Sequence, residues 1–246
     1  MTDIAFTKMH GLGNDFVIID TRANPCDLSP EGVIAIADRH TGIGCDQVIL
    51  LEPPSSNPYL RDADVFMHIF NADGSKVHAC GNATRCVANI IMLESGRTST
   101  KIAIGDTILT AEKLKNGLIA VDMGSPKFDW RDIPLSSEQD TLDFNIQNCP
   151  FKNASAVNMG NPHCVIFVDD ADAVALDEIG PTLECHDLFP ERANIGIAQI
   201  KNAGALRLRV WERGSGITQA CGSGACAAAV SAHRRDLTGL TVLVEL

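Results

Sequence analysis

Two stretches decide the reading of this chain: Val65–Gly81, VFMHIFNADGSKVHACG, and Leu206–Gly222, LRLRVWERGSGITQACG, which lie 141 residues apart and align without a gap. Each begins with apolar residues at alternate positions, Val65, Met67 and Ile69 in the first and Leu206, Leu208 and Val210 in the second, the period of a half-buried strand. Each then turns through glycine into Ala-Cys-Gly. The segments that follow, Asn82 to Glu94 before Gly96 and Ser223 to Arg235 before Gly239, are rich in alanine and other helix-compatible residues. Glycine past the last periodic residue is a helix stop signal. Each half therefore reads as strand, turn, cysteine, buried helix.

Two further echoes run in the same order. Gly13-Asn14 followed by Phe16 to Asp20 is repeated as Gly160-Asn161 followed by Cys164 to Asp169, and Ile43-Gly44 with Gln47 is repeated as Ile195-Gly196 with Gln199. The offsets of 147, 152 and 141 residues are too variable for a solenoid. They predict two related lobes, residues 1–122 carrying Cys80 and 123–246 carrying Cys221, divided where Val121-Asp122-Met123 runs into the Gly124-Ser125-Pro126 break. Ser29-Pro30-Glu31 opens an amphipathic helix through Val33, Ile34 and Ala37, with Ser29 as cap and proline in the first turn. Glu52 to Pro58 reads as a surface loop, and Thr107–Thr110, Leu118–Val121 and Thr241–Val244 as strands. The fold class is mixed α/β, of the α+β kind, with many β segments.

Composition narrows the function. The 246 residues carry a net charge of −11 and only 5% aromatics, which leaves neither the basic footprint of a nucleic-acid or anionic-membrane binder nor many rings for stacking bases. With 45% apolar and 21% charged residues the chain is of ordinary globular composition. No apolar run reaches the roughly 18 residues of a membrane span, and Met1 to Gly11 lacks the pattern of a signal peptide, so a cytoplasmic enzyme is expected. Nine cysteines in such a chain argue against a disulfide framework. No C-x-x-C occurs, so no structural metal site is expected.

The duplicated setting of Cys80 and Cys221 suggests chemistry. A cysteine at a helix start meets unpaired backbone N–H groups and the positive end of the helix dipole, which favour its thiolate. The N–H groups of Gly81, Asn82, Gly222 and Ser223 form ready anion sites. If the lobes face each other, one thiolate takes a proton from a carbon beside a carboxylate while the opposite thiol returns one, inverting the centre. General acid–base catalysis supplies roughly 10² to 10⁴-fold, so preorganised electrostatics must carry the larger share. The bland alternative makes both cysteines small buried residues where strand meets helix. Cys26, Cys45, Cys86, Cys149, Cys164, Cys185 and Cys226 lack the duplicated setting and read as packing. His10, His40, His68, His78, His186 and His233 show no ligand spacing and read as surface or packing.

These residues also carry a resemblance. Asn71-Ala72-Asp73-Gly74-Ser75 with Cys80-Gly81-Asn82-Ala83-Thr84-Arg85-Cys86, Gly11 to Phe16, Gly42 to Gln47, Met159 to His163, and Trp211 to Gly214 leading to Ala220 to Gly224 are together similar to the diaminopimelate epimerases, cofactor-independent amino-acid racemases. The resemblance covers Phe6 to about Leu246. It implies two pseudo-symmetric lobes, each a mostly antiparallel sheet wrapped around a central helix, with the active site in the cleft between them. It implies interconversion of LL- and meso-2,6-diaminopimelate in lysine and peptidoglycan precursor synthesis, without pyridoxal phosphate, metal or any other cofactor, and a homodimer. Cys80 and Cys221 would be the catalytic base and acid, exchanging with direction. His163 and Glu212 would sit beside the thiols and set their charge. Asn14, Asn71, Asn161, Asn194 and Arg213 would hold the substrate's polar groups, with Arg213 on the distal carboxylate, a geometry suited to arginine. Gln47 would line the pocket, Glu212 would also contact substrate, and the N–H groups of Gly81, Asn82, Gly222 and Ser223 would take the reacting carboxylate.

Other readings stay open on the sequence. Asn14 and Asn161 follow glycine and could supply turn chemistry. His163 could make a structural hydrogen bond, and Glu212 could be a solvated strand residue. The rival functions are a proline racemase or hydroxyproline epimerase of the same architecture, and a non-catalytic redox-sensing dithiol protein. The resemblance also implies a further strand pair beyond Thr241 to Glu245, so the chain is expected to be short at that end relative to the family.

Overall fold

The computed structural model of the protein describes residues 4–54, 58–77 and 79–246. Ser55, Ser56 and Asn57 of the expected loop, and His78, lie outside the described residues. The chain divides into two compact units, residues 1–123 and 124–246.

The first unit contains, in chain order, β1 (Thr7–Gly11), β2 (Asn14–Asp20), α1 (Pro30–Ala37), β3 (Gln47–Glu52), β4 (Val65–Asn71), β5 (Lys76–Val77), α2 (Gly81–Ser95), β6 (Ser99–Ile104), β7 (Thr107–Lys113) and β8 (Ile119–Asp122). Its sheet runs β1-β2-β3-β4-β6-β7-β8, with β5 hooked onto β4. The β2–β3 and β4–β6 pairs are parallel and the others antiparallel. A parallel pair needs a crossover, and α1 and α2 are the crossovers. Alternation then assigns the faces. Phe16 and Ile18 of β2 pack with Ile49, Leu51, Met67 and Ile69 around Ala83, Val87 and Ile91 of α2, whereas Val17 and Ile19 face Val33 and Ala37 of α1. Burial on both faces explains why β2 and β3 read as continuous apolar runs. Ser29 caps α1 through Gly32 N–H at 3.2 Å, as expected, although Ile34 is exposed.

The second unit contains β9 (Ala154–Asn158), β10 (Pro162–Phe167), α3 (Leu176–Glu184), β11 (Asn194–Asn202), β12 (Ala205–Glu212), β13 (Gly216–Ile217), α4 (Gly222–Arg234) and β14 (Leu243–Glu245). The sheet order is β13-β12-β11-β10-β9, with β14 parallel to β12. Strand for strand this repeats the first unit: β1 to β6 correspond to β9 to β14, α1 to α3 and α2 to α4. Registers agree as well. Val65 pairs with Ile102 and Leu206 with Val244, while Phe16 pairs with Gln47 and His163 with Asn194.

That register corrects the third sequence echo. Gln47 is equivalent to Asn194, not Gln199, because both sit opposite residues offset by 147. The two Ile-Gly pairs differ in structure: Gly44 is a loop residue at φ +77, and Gly196 lies inside β11.

Helix α4 packs against β9 to β12 through small residues, with Ala227, Ala228, Ser231 and Ala232 buried. A Cβ on Gly224 would lie 3.1 Å from a Val210 methyl and 3.2 Å from the Cys221 sulfur. The helix ends at Arg234, within a residue of the expected stretch Ser223 to Arg235 and ahead of Gly239, but that glycine is not the residue that stops it. Asp236 takes the left-handed position at φ 58, with hydrogen bonds from Asp236 N–H to His233 and from Leu237 N–H to Ala232 carbonyls at 3.0 and 2.9 Å. An aspartate can adopt this conformation, which is why no glycine marks the stop. Helix α2, by contrast, does end at Gly96, at φ 68. Among the described residues no helix is long and apolar enough to cross a membrane.

Replacing Asp236 by glycine should relieve the left-handed strain and leave stability unchanged or raised by up to about 1 kcal/mol. Thermal unfolding of Asp236→Gly checks this, and a lower midpoint would contradict the assignment of that turn.

Candidate active site

Both cysteines singled out by the repeat are helix N-caps. The Cys80 sulfur accepts from Ala83 N–H at 3.5 Å and that of Cys221 from Gly224 N–H at 3.3 Å. The next N–H in each helix, Thr84 and Ala225, returns to the carbonyl of the same cysteine. Gly81 and Asn82, and Gly222 and Ser223, therefore stand ahead of the first helical bonds, at the positive end of each dipole.

In the first unit, Asn14 opens β2 and its carbonyl oxygen lies 3.8 Å from the Cys80 sulfur, within reach of a thiol donor, and 3.5 Å from the Asn82 amide nitrogen. The other end of the Asn14 amide donates to Asp46 at 3.0 Å. Since a carboxylate accepts only, this contact fixes which end of the amide faces sulfur. Asp46 is in turn held by Arg39, which also grips Asp15. Burial acts to raise the Asp15 carboxyl, but Arg39, Lys8 and Asp46 outweigh it and hold it well below the usual carboxylate range. Gln47 and Asn71, in register on β3 and β4, form a second group: Gln47 donates to Asn71 at 3.0 Å and Asn71 to Ser75 at 3.1 Å.

In the second unit the expected residues form one chain. His163 is 1% exposed and its Nε2 lies 2.8 Å from the Asn161 carbonyl oxygen and 3.1 Å from the Ser223 hydroxyl. Burial, with the Arg213 charge second, pushes its pKa down to about 3, so the ring is neutral. With Asn161 accepting, Nε2 carries the proton, and the Ser223 hydroxyl is left to donate to the Cys221 sulfur at 3.6 Å. The Glu212 carboxylate also accepts from the Cys221 thiol and is itself held by the Thr218 hydroxyl. Asn194 and Arg213 form a separate pair. Asn194 accepts from Arg213 N–H at 3.0 Å and donates to the Pro162 carbonyl at 2.9 Å, while the Arg213 guanidinium donates to the Glu191 carbonyl at 3.0 Å.

The Cys221 thiol departs from the expectation that a helix start lowers a cysteine. Burial raises it well above its ordinary value, the Glu212 charge raises it further, and Ser223 and Gly224 oppose only in part. Cys221 is 4% exposed, so desolvation of the thiolate outweighs the helix dipole. Cys45, Cys86 and Cys164 are buried packing residues, with the Cys86 thiol pushed up to about 11 by burial. Cys185, expected to pack, is exposed at the end of α3. All nine cysteines are free thiols. Among the described residues no three His, Cys, Asp or Glu side chains gather as a metal site.

Sequence reading missed Asp46 and Thr218 as supports of the site. Asp46 stands inside the quoted Gly42 to Gln47 motif. Thr218 has no local signal, because it meets Glu212 only across the β12–β13 turn.

Comparison with known proteins places the chain in a family. A family model described as diaminopimelate epimerase matches residues 6–128 and 155–246. The chain is 52% identical over 241 residues to the diaminopimelate epimerase of Rhodospirillum centenum, covering 98% of this chain and 81% of that one. It is equally similar to that of Acidiphilium cryptum, covering 98% and 85%. Among solved structures, that of a probable proline racemase from Agrobacterium radiobacter K84 superposes with a TM-score of 0.65 at 17% identity, over 96% of this chain and 79% of that one, a likeness of fold. Fold and sequence together define an isomerase of the amino-acid racemase and epimerase class. Within that class, the chain belongs to the diaminopimelate epimerase family. The proline racemase, hydroxyproline epimerase and dithiol-sensor readings are not favoured.

Two outcomes follow from the electrostatics. Removing the Glu212 charge in Glu212→Gln should lower the Cys221 thiol, so alkylation of Cys221, followed by peptide mass spectrometry, should take hold at lower pH than in the parent. For His163 the folded value lies below the ordinary 6.5. The unfolded chain then binds the extra proton, and stability is lost as pH falls from about 6.5 toward 3. Urea unfolding at pH 7 and pH 4.5 should show that loss, and His163→Gln should reduce it.

Proposed function

We propose that the chain interconverts LL- and meso-2,6-diaminopimelate by proton transfer at the α-carbon, with Cys80 and Cys221 as the two bases. The observation that carries this reading is the pair of sulfurs capping equivalent helices in two equivalent units, each beside N–H groups suited to a carboxylate. Family membership supplies the substrate.

The two thiols need opposite protonation at the start of a turnover, and their environments differ in that sense. At the position of Glu212 on β12 the first unit has neutral Asn71 on β4, and at that of His163 it has Phe16. The acidic neighbour and the burial keep Cys221 protonated, the form that delivers a proton, and leave Cys80 to act as base in that direction. In the reverse direction Ser223 and the α4 head stabilise Cys221 as thiolate. The N–H groups of Gly81, Asn82, Gly222 and Ser223 would bind the carboxylate of the reacting carbon and stabilise the charge that builds on it as the proton leaves. Arg213, turning from the Glu191 carbonyl, would pair with the distal carboxylate. Asn14 and Asn161 orient substrate beside the sulfurs, while Gln47 and Asn71 line the pocket. Asn194 holds the Arg213 backbone through its carbonyl oxygen and keeps a second amide N–H for the substrate's polar groups. The same reading supports a cytoplasmic homodimer acting on a small molecule in the route to lysine and peptidoglycan precursors.

Reduced protein incubated with LL-diaminopimelate in D₂O should exchange the α-proton and form the meso isomer, read by NMR, while proline should be inert. Cys80→Ala and Cys221→Ala should each lower epimerisation by at least about 10³-fold with unfolding midpoints near the parent's. Turnover retained in either variant would remove that cysteine from the pair.

A further inference from the structure

Glu184 is a carboxylate that the chemistry above leaves unused. It ends α3, its side chain is 7% exposed, and it does not face water as a helix-terminal glutamate ordinarily would. One oxygen accepts from the Trp211 indole N–H at 2.6 Å and the other from the Gly214 backbone N–H at 3.0 Å, with Arg192 standing off at 3.5 Å. Trp211 and Gly214 flank a dipeptide, and that dipeptide is Glu212-Arg213.

The packing around this contact is close. Gly180 precedes Glu184 by four residues, so both lie on one face of α3. A Cβ on Gly180 would come within 2.5 Å of the Trp211 ring, so the helix lies flush on the indole. Between the two anchors the Arg213 N–H is taken by Asn194 at 3.0 Å. The turn that aims Glu212 at Cys221 and Arg213 toward substrate is thus gripped at three successive points from α3 and β11.

We infer that Glu184 is a positioning residue for Glu212 and Arg213, acting through the Trp211–Gly214 corner and touching neither substrate nor thiol. The inference rests on the function proposed above for those two residues. An apolar residue in its place would leave a buried indole N–H and a backbone N–H unanswered. A glutamine could accept only one of the two bonds and would set its own N–H against the other donor.

Three variants test this: Glu184→Gln, Glu184→Asp and Trp211→Phe. Glu184→Gln should raise KM for diaminopimelate about tenfold, the equivalent of one lost buried bond to a charged group, and lower kcat by a smaller factor. Trp211→Phe, losing one of the two bonds, should raise KM less, and Glu184→Asp, which keeps the charge on a shorter arm, should fall between Glu184→Gln and the parent. A substrate-free measurement runs beside the kinetics: hydrogen exchange by mass spectrometry should accelerate in the peptide spanning residues 211–216 of Glu184→Gln and stay unchanged elsewhere. An unchanged KM together with unchanged local exchange would overturn the inference. So would faster exchange spread across the whole second unit with KM intact, which is the signature of a merely structural residue. A parent protein that fails to turn over diaminopimelate would count against the proposed function alone, and the exchange data would still decide the clamp.

Discussion

The capping of a buried helix by a cysteine sulfur is the contact on which the rest depends. A helix enclosed by its own sheet must answer the N–H groups of its first turn without water, and in both units a thiol does so. The sulfur is thereby fixed to a rigid element at the end of the strands, and the N–H groups ahead of it are left pointing where an anion can sit. Close packing enforces the placement in the second unit. A Cβ on Gly224 would crowd both Val210 and the Cys221 sulfur, so only glycine lets α4 sit this close to β12 beneath its cap.

Duplication then supplies two such sulfurs, and divergence makes them unequal. Equivalent register positions hold Asn71 and Glu212, Phe16 and His163, Asn82 and Ser223. In the first unit the Asn14 amide reaches the Cys80 sulfur, whereas in the second Cys221 meets the Glu212 carboxylate and a Ser223 hydroxyl that is itself bonded to the neutral His163 ring. Burial of Cys221 amplifies the difference, because a charge interacts more strongly where water is excluded. A symmetric pair would have no reason to hold one proton on a preferred side.

The repeated strand, turn, cysteine and helix were legible because they rest on local signals: period-two apolar residues, glycine turns and alanine-rich helices. The strands at Thr107 and Leu118 were legible for the same reason. Local signals also misled. Ile-Gly pairs at 43 and 195 suggested an offset of 152, whereas strand pairing equates Gln47 with Asn194. Asp236 ends α4 in a conformation that glycine usually announces. Helix α3 was not read at all, since Ala175 gives it no side-chain cap and Pro181 interrupts its pattern. The stretch from Phe128 to Lys152 contributes Ile133, Leu135, Phe144 and Ile146 to the second core with only isolated bridges, and no periodicity could have marked it.

By itself the sequence determined the duplicated architecture, the two cysteines at helix starts and the family, because each is written in short-range pattern and spacing. Only the tertiary structure decided the state and the support of those groups: the raised Cys221 thiol, the neutral His163, the amide of Asn14 turned by Asp46, and the Glu212-Arg213 corner gripped by Glu184. The reason is physical. A thiol's proton affinity is set above all by burial, which only the whole fold decides, and the rigidity of the Glu212-Arg213 corner by Glu184, 27 and 30 residues before the two groups it holds.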